Sequence, residues 1–295
     1  FPYDSVSKGK KITMLNLLTH TAGINIHGFL GYKAGAPIPN IQQMLKGENP
    51  ANSARIRSLF EPGKTFQYSG GGVLVSQMCI MDITGKPYTA FLTNSVLHPL
   101  GMSNSTYEQT GEYPFASGHH IDGSQLQGQY NRYPELAAAG LWTTPADLAK
   151  MIIEIQLAYK GRSAKVLNRF YTRMQLTPYL TNAGPGVFID SADNTKYFQH
   201  GGATIGFQSQ YYGSFDGGNG VVIMVNSDHN EIISEIVNRG ARVYGFKGLS
   251  QSVIKNVVTL SDAELQSYAG NYQVGPNFSL TIEKKDNQLY ARIPG

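Results

Sequence analysis

Tyr197-Phe198-Gln199-His200, Gly206 to Tyr212 and Gly220-Val221-Val222-Ile223-Met224-Val225 are three runs rich in aromatic and β-branched residues, separated by glycine-rich turns. Runs of this length and spacing predict successive strands of an antiparallel meander. Glu231 to Tyr244 comes next, with Ile232, Ile233, Ile236 and Val237 on one face at helical spacing, so a sheet is followed by a helix able to pack on it. The fold class this predicts is α/β of the segregated, α+β type: an antiparallel sheet flanked by helices.

Helical signals surround that sheet. From Gly72 to Thr84 the residues Val73, Leu74, Met78, Ile80 and Met81 recur at roughly helical spacing, and Gly85 supplies a stop. A second helix is expected over Pro87 to His98, ended by Pro99. Thr144-Pro145-Ala146-Asp147 reads as a helix start, with Thr144 as cap, proline at the first helical position and Asp147 closing a capping box, and the helix runs towards Tyr159. Ile12 to Leu18 is a short apolar element closed by Thr19-His20-Thr21-Ala22-Gly23, and Gly28 to Pro39 is a long loop. A boundary falls between Gly245 and Leu260. Beyond it Ser261-Asp262-Ala263-Glu264-Leu265 opens a short helix, and Tyr268 to Ile293 alternates like strands. The expected domains are residues 1–248 and a partial small β unit over 260–295.

The 295 residues, 41% hydrophobic and 15% charged, are enough to bury a core without staples. A net charge of +4 with no long basic run argues against nucleic acid as a partner. Cys79 is the single cysteine and lies in an apolar stretch, which excludes an intramolecular disulfide and reads as a buried small hydrophobe. No apolar run approaches the length of a membrane span. Phe1-Pro2-Tyr3-Asp4 is neither a signal peptide nor an initiating methionine, and Leu289 to Gly295 stops within a strand and its turn, so both ends read as internal to a longer protein.

The chemistry-bearing residues are few. Tyr68-Ser69-Gly70-Gly71-Gly72 places a tyrosine just before a helix start, where N–H groups gather and anions are stabilised. For Tyr68 to act as a base, its hydroxyl must drop several units from about 10, which needs a nearby cation. Otherwise it is a packing residue. His200-Gly201-Gly202-Ala203 ends a strand with two glycines that let a ligand backbone approach a sheet edge, or is simply a tight turn. His20 reads as a structural histidine bonding backbone groups. His119 and His120 are adjacent, so they point apart and make a poor metal pair. No metal and no cofactor is expected.

Ile12-Thr13-Met14-Leu15-Asn16-Leu17-Leu18-Thr19-His20-Thr21-Ala22-Gly23 resembles the "ITIRHLLTHTSG" segment of the class C β-lactamase-like and penicillin-binding-protein-like serine hydrolases. Pro62 to Ser69 is similar to that family's "PG..f.YSN", Pro99-Leu100-Gly101-Met102 to its "PLGM", and Ala138 to Ala149 to its "aaGGl.sTa.DLAkf". His200-Gly201-Gly202 stands where the family has Lys-Thr-Gly or His-x-Gly. The motifs occur in order over residues 12–226.

The resemblance implies an incomplete β-lactamase/transpeptidase-like fold and catalysis through an acyl-enzyme, in which a Ser-x-x-Lys serine is the nucleophile. Tyr68 matches the family's proton-handling tyrosine. Gly70 replaces its usual asparagine, which puts β-lactam hydrolysis in doubt. His200 replaces the lysine of true penicillin-binders, and Ala203 occupies the position whose N–H forms half of the oxyanion hole. These departures lean towards ester or amide substrates. The implied substrate-binding set is thus His200, Gly201, Gly202, Ala203 and Gly70, with Tyr68 catalytic. Ser5-Val6-Ser7-Lys8 spells the nucleophile motif but sits in a polar, glycine-broken stretch and is read as coincidence, so the expected chain lacks the N-terminal strand and the nucleophile helix and is itself inactive and marginally stable. The implied partners are small molecules or peptidoglycan peptides, and the implied location is periplasmic or extracellular. The alternative is a non-catalytic relative that binds peptidoglycan stems or a protein.

Overall fold

In the computed structural model, residues 5–7, 9–111, 113–250, 258–275 and 278–292 are described. Phe1 to Asp4, Lys8 and the terminal residues 293–295 lie outside them, as do residues 251–257 of the expected boundary. Contacts divide the chain into two units, Phe1–Gln251 and Ser252–Gly295.

In the first unit the helices are α1 (Met14–Leu18), α2 (Ile41–Lys46), α3 (Gly70–Thr84), α4 (Tyr88–Leu92), α5 (His98–Leu100), α6 (Leu136–Ala139), α7 (Pro145–Tyr159), α8 (Arg169–Gln175) and α9 (Glu231–Tyr244). The strands β1 (Ala183–Gly184), β2 (Val187–Ala192), β3 (Thr195–Thr204), β4 (Phe207–Ser214) and β5 (Gly220–Val225) form one antiparallel sheet in sequence order. The fold is the mixed, antiparallel one expected, extended by β1 and β2.

Strand register sorts side chains onto two faces, because directly opposed residues share a face. His200 faces Tyr211, Gly202 faces Ser209 and Thr204 faces Phe207, so these lie on the Phe198 side of the sheet. There Phe198, Tyr211, Val187, Ile189 and Phe215 pack with Ile152 of α7 and Leu176. The opposite face pairs Ile223 with Ile233 and Val237 of α9, against Tyr212 and Val221. A third cluster of Leu17, Ile24, Met44, Ile56 and Leu74 joins α1, α2 and α3. Full burial of side chains such as Leu74 and Phe198 stabilises the fold by about 1.5–3 kcal/mol each.

The outer edge of β5 pairs with no strand among the described residues, although α7 packs against this strand and so does α9. A Val-Val-Ile-Met-Val strand without charge or proline has the composition of an interior strand, not of a guarded edge.

Two helix expectations are corrected. The helix after Pro87 does not end at Pro99: α4 passes through a wider π turn at Thr93–Leu97 into α5, where Pro99 sits inside the last turn and left-handed Gly101 (φ 67°) ends it. Proline lacks a donor N–H, and a locally widened turn accommodates it. At α7 the Thr144 hydroxyl accepts from the Asp147 N–H at 3.2 Å as expected. The Asp147 carboxylate, however, does not close a capping box; it accepts from Asn104 N at 2.7 Å, Ser105 Oγ at 2.9 Å and Lys150 Nζ at 2.7 Å, which ties α7 to the segment after α5. Cys79 is half-buried, so its burial is less complete than expected.

The second unit consists of α10 (Asp262–Ser267) and the antiparallel sheet β6 (Gly270–Gly275), β7 (Phe278–Lys285) and β8 (Gln288–Arg292). Ser261 and Glu264 close a capping box at the start of α10.

Candidate active site

The turn after α1 is built by buried hydroxyls. Thr19 Oγ1 donates to the Leu15 carbonyl at 2.7 Å, and Asn16 Nδ2 donates to Thr21 Oγ1 at 3.2 Å. Between them His20 takes a left-handed conformation (φ 56°), which lets its ring reach the start of α3. The Ser69 N–H donates to His20 Nδ1 at 3.2 Å, so the neutral ring carries its proton on Nε2. His20 is thus the backbone-bonding histidine expected from sequence. Burial, with smaller repulsion from His200 and His27, pushes it down to about 4.

The first donors of α3 are all occupied. Gly70 N donates to the His27 carbonyl at 2.9 Å, Gly71 N to the Ile26 carbonyl at 3.1 Å and Gly72 N to Ser69 Oγ at 3.0 Å. The expected anion-stabilising helix start is therefore not there: loop carbonyls take the place of a ligand. Gly70 is packed closely by the same loop. It is buried, and a Cβ on it would lie 3.0 Å from the His27 carbonyl oxygen and 3.2 Å from the Phe29 ring.

This packing delivers Tyr68 into a cage of rings. Its ring centroid lies 4.2 Å from that of His20, 4.9 Å from His27, 6.1 Å from His200 and 6.3 Å from Phe188. Burial raises its hydroxyl above the ordinary tyrosine range, and no charged neighbour among the described residues opposes that. A phenolate base needs a cation beside it to offset that burial.

Opposite Tyr68 stands the end of β3. His200 Nδ1 and the Gly201 carbonyl are 2.6 Å apart; since a carbonyl only accepts, Nδ1 holds the proton and Nε2 is free to accept. Burial lowers the His200 ring below the ordinary histidine range. Pairing with β2 ends at Gln199, so His200 to Thr204 keep β4 on one side only, and Gly201, Gly202 and Ala203 are exposed. An open strand edge offers alternate N–H and C=O groups to an extended ligand. Both glycines have a second, steric role: a Cβ would meet Gln210 Oε1 at 2.7 Å from Gly201, and Ser209 Oγ at 2.6 Å from Gly202.

The structure thus brings Tyr68 and His200 together beside the open edge that carries Gly201, Gly202 and Ala203, while Gly70 lies buried in the first turn of α3. His27 and Phe188 belong to the cage but carry no sequence signal, since each reaches it only through tertiary packing. Ser5–Ser7 forms a single 3-10 turn. Among the described residues no group of three His, Cys, Asp or Glu side chains is placed to hold a metal ion. No described helix is long and apolar enough to cross a membrane.

A family profile described as Beta-lactamase matches residues 1–241. The chain belongs to the Beta-lactamase family. Within it, the chain is 26% identical over 238 residues to PbpX of Bacillus subtilis (strain 168), a protein assigned by name to the penicillin-binding proteins, covering 78% of this chain and 55% of that protein. The chain therefore spans about half the length of this curated relative. Among solved structures, the octameric penicillin-binding protein homologue from Pyrococcus abyssi superposes with a TM-score of 0.66 at 18% identity, covering 99% of this chain and 68% of that one. The D-amino acid amidase from Ochrobactrum anthropi SV3 complexed with D-phenylalanine gives a TM-score of 0.61 at 20% identity, over 79% and 78% of the two chains. At these identities the structural likenesses establish the β-lactamase and penicillin-binding-protein fold alone.

Proposed function

We propose that this chain carries the tyrosine and the substrate-docking strand of a serine hydrolase that works through an acyl-enzyme on small esters, amides or D-amino-acid peptides. The observation that carries this reading is the placement of Tyr68 against His200 at the open edge of β3. In the proposed cycle a serine Oγ attacks the substrate carbonyl while Tyr68 relays the serine proton to the departing amine or alcohol. The N–H of Ala203 stabilises the oxyanion, and water then cleaves the acyl ester. The lean towards esters and amides is supported by Gly70, which offers no side-chain amide, and by His200, whose burial keeps it neutral where a lysine would be charged. The structural likeness to a protein named a D-amino acid amidase is consistent with an amide substrate of a D-amino acid.

The nucleophile and the cation beside Tyr68 are proposed to lie outside these 295 residues. The open β5 edge supports that, since a strand from beyond these residues would complete the sheet there. Peptidoglycan peptides are a proposed substrate, and the periplasm or cell exterior a proposed location. The raised hydroxyl of Tyr68 is the observation that favours the second reading, a binding protein without turnover.

The test compares the complete gene product with residues 1–295 on p-nitrophenyl butyrate and D-phenylalanine amide. Turnover by the complete protein only is the expected result. No turnover by either, with retained binding of D-amino-acid peptides, would replace the hydrolase by the binder.

A further inference from the structure

The hairpin that ends the open strand is held at two successive N–H groups. Ile205 N donates to the Tyr133 hydroxyl at 3.2 Å, and Gly206 N donates to an Asp228 carboxylate oxygen at 2.7 Å. The Tyr133 hydroxyl itself donates to the Leu30 carbonyl at 3.3 Å. Leu30 lies three residues after His27 in the loop that forms one wall of the cage. Thr204 to Gly206 close the strand that forms the other. One phenol, only 4% exposed, therefore joins the two walls.

Packing fixes that phenol in place. Gly31, with φ 69°, lies flat against its ring: a Cβ there would come within 2.6–2.9 Å of Tyr133 ring atoms. Gly206, with φ 80°, is pressed against Gly118, whose Cα would lie 3.0 Å from a Cβ on Gly206. The need for such a hold follows from the strand itself. Two consecutive glycines paired on one side only have the widest backbone freedom in the sheet, and a docking edge that wanders by an ångström loses its register with the reacting atoms.

We propose that Tyr133 and Asp228 are positioning residues that fix the separation and register of the substrate cleft between the His27–Leu30 loop and the open edge of β3. This rests on the reading of that edge as the substrate-docking strand. Neither residue touches the reacting atoms; each acts through a backbone N–H of the hairpin.

The test uses the complete protein with Tyr133→Phe, which keeps the ring and removes the hydroxyl, and the pair Asp228→Ala and Asp228→Asn. Amide hydrogen exchange is followed peptide by peptide, together with kcat and KM on p-nitrophenyl butyrate. In Tyr133→Phe, residues 28–31 and 203–207 exchange faster while α7 and α9 keep wild-type rates, and kcat falls about 3- to 10-fold, the worth of one hydrogen bond. Asp228→Ala loosens 203–207 likewise, and Asp228→Asn, which retains an acceptor oxygen, restores it. Exchange that quickens uniformly across the chain, or not at all at 203–207, overturns the proposal, as does a wild-type kcat in a variant whose hairpin is loosened. Failure of the wild-type protein to turn over any ester or amide strikes the hydrolase reading instead, and the exchange pattern still decides whether the clamp exists.

Discussion

Replacing Glu135 by glutamine is predicted to change how stability depends on pH. Glu135 is fully buried, and neither carboxyl oxygen has a hydrogen-bond partner among the described residues. Burial pushes its carboxyl from an ordinary 4.5 up to about 7. The sign follows from proton counts. Between these two values the folded protein keeps the proton that the unfolded chain has lost, so stability falls as pH rises, and the loss is complete above the folded value. A rise of that size, at 1.36 kcal/mol per unit, is worth about 3 kcal/mol. The wild-type curve does not display it plainly, because His20 works in the opposite direction. With its folded value down at about 4, His20 contributes stability that grows as pH rises from about 4 to 6.5. The variant isolates the carboxyl. Urea denaturation followed by far-ultraviolet circular dichroism, on wild type and Glu135→Gln from pH 4 to 8.5, is expected to show near-equal stability at the acid end. The glutamine protein should then gain about 3 kcal/mol relative to wild type by pH 8. A difference that stays flat across this range would refute the reasoning, and would mean that Glu135 finds a partner that holds its charge.

Three further outcomes are expected. Gly71→Ala, a change that ordinarily stabilises a helix by about 1 kcal/mol, should here cost about 1–3 kcal/mol and lower Tm, because the added Cβ would meet the Asn25 carbonyl oxygen at 2.8 Å. Asp147→Ala strips the acceptor from Lys150, Ser105 and Asn104 and is expected to destabilise by about 2–4 kcal/mol in chemical denaturation. Burial pushes the Asp147 carboxyl up, but hydrogen bonds from Lys150, Ser105 and Asn104 outweigh it and hold the group below its ordinary range. The stability it contributes is present above that range and is lost only as pH falls through its folded value. Tyr68→Phe should keep the wild-type Tm within a degree or two and abolish most turnover, since the ring contacts remain and only the hydroxyl is lost.

What was legible in the sequence is what local rules decide. The α7 start at Thr144-Pro145 and the α3 stop at Gly85 follow from capping and backbone preference within one turn. Strands β3 to β5 follow from aromatic and β-branched runs between glycines. The motif order pointed to Tyr68 and to His200 through Ala203, and the fold brings Tyr68 and His200 to one place. What stayed hidden depends on partners far along the chain. Val187 to Ala192 turns polar after Ile189, at Asp190 and Ser191, and so does not declare a strand; pairing with β3 makes it one. The start of α3 looked like an anion site because nothing local shows that the carbonyls of Ile26 and His27 fill it. Asp147 was read as a local cap, whereas a donor set more than forty residues away captures it. His27 and Phe188 sit in unremarkable sequence and become visible only as rings around Tyr68.

The measurement that tests the central claim most directly is active-site labelling of the complete gene product with a fluorophosphonate, the modified serine being mapped by mass spectrometry in wild type and in Tyr68→Phe. The account predicts one labelled serine, outside residues 1–295, whose labelling slows markedly in Tyr68→Phe. A label on Ser5 or Ser7, or a labelling rate indifferent to the loss of the Tyr68 hydroxyl, would contradict it.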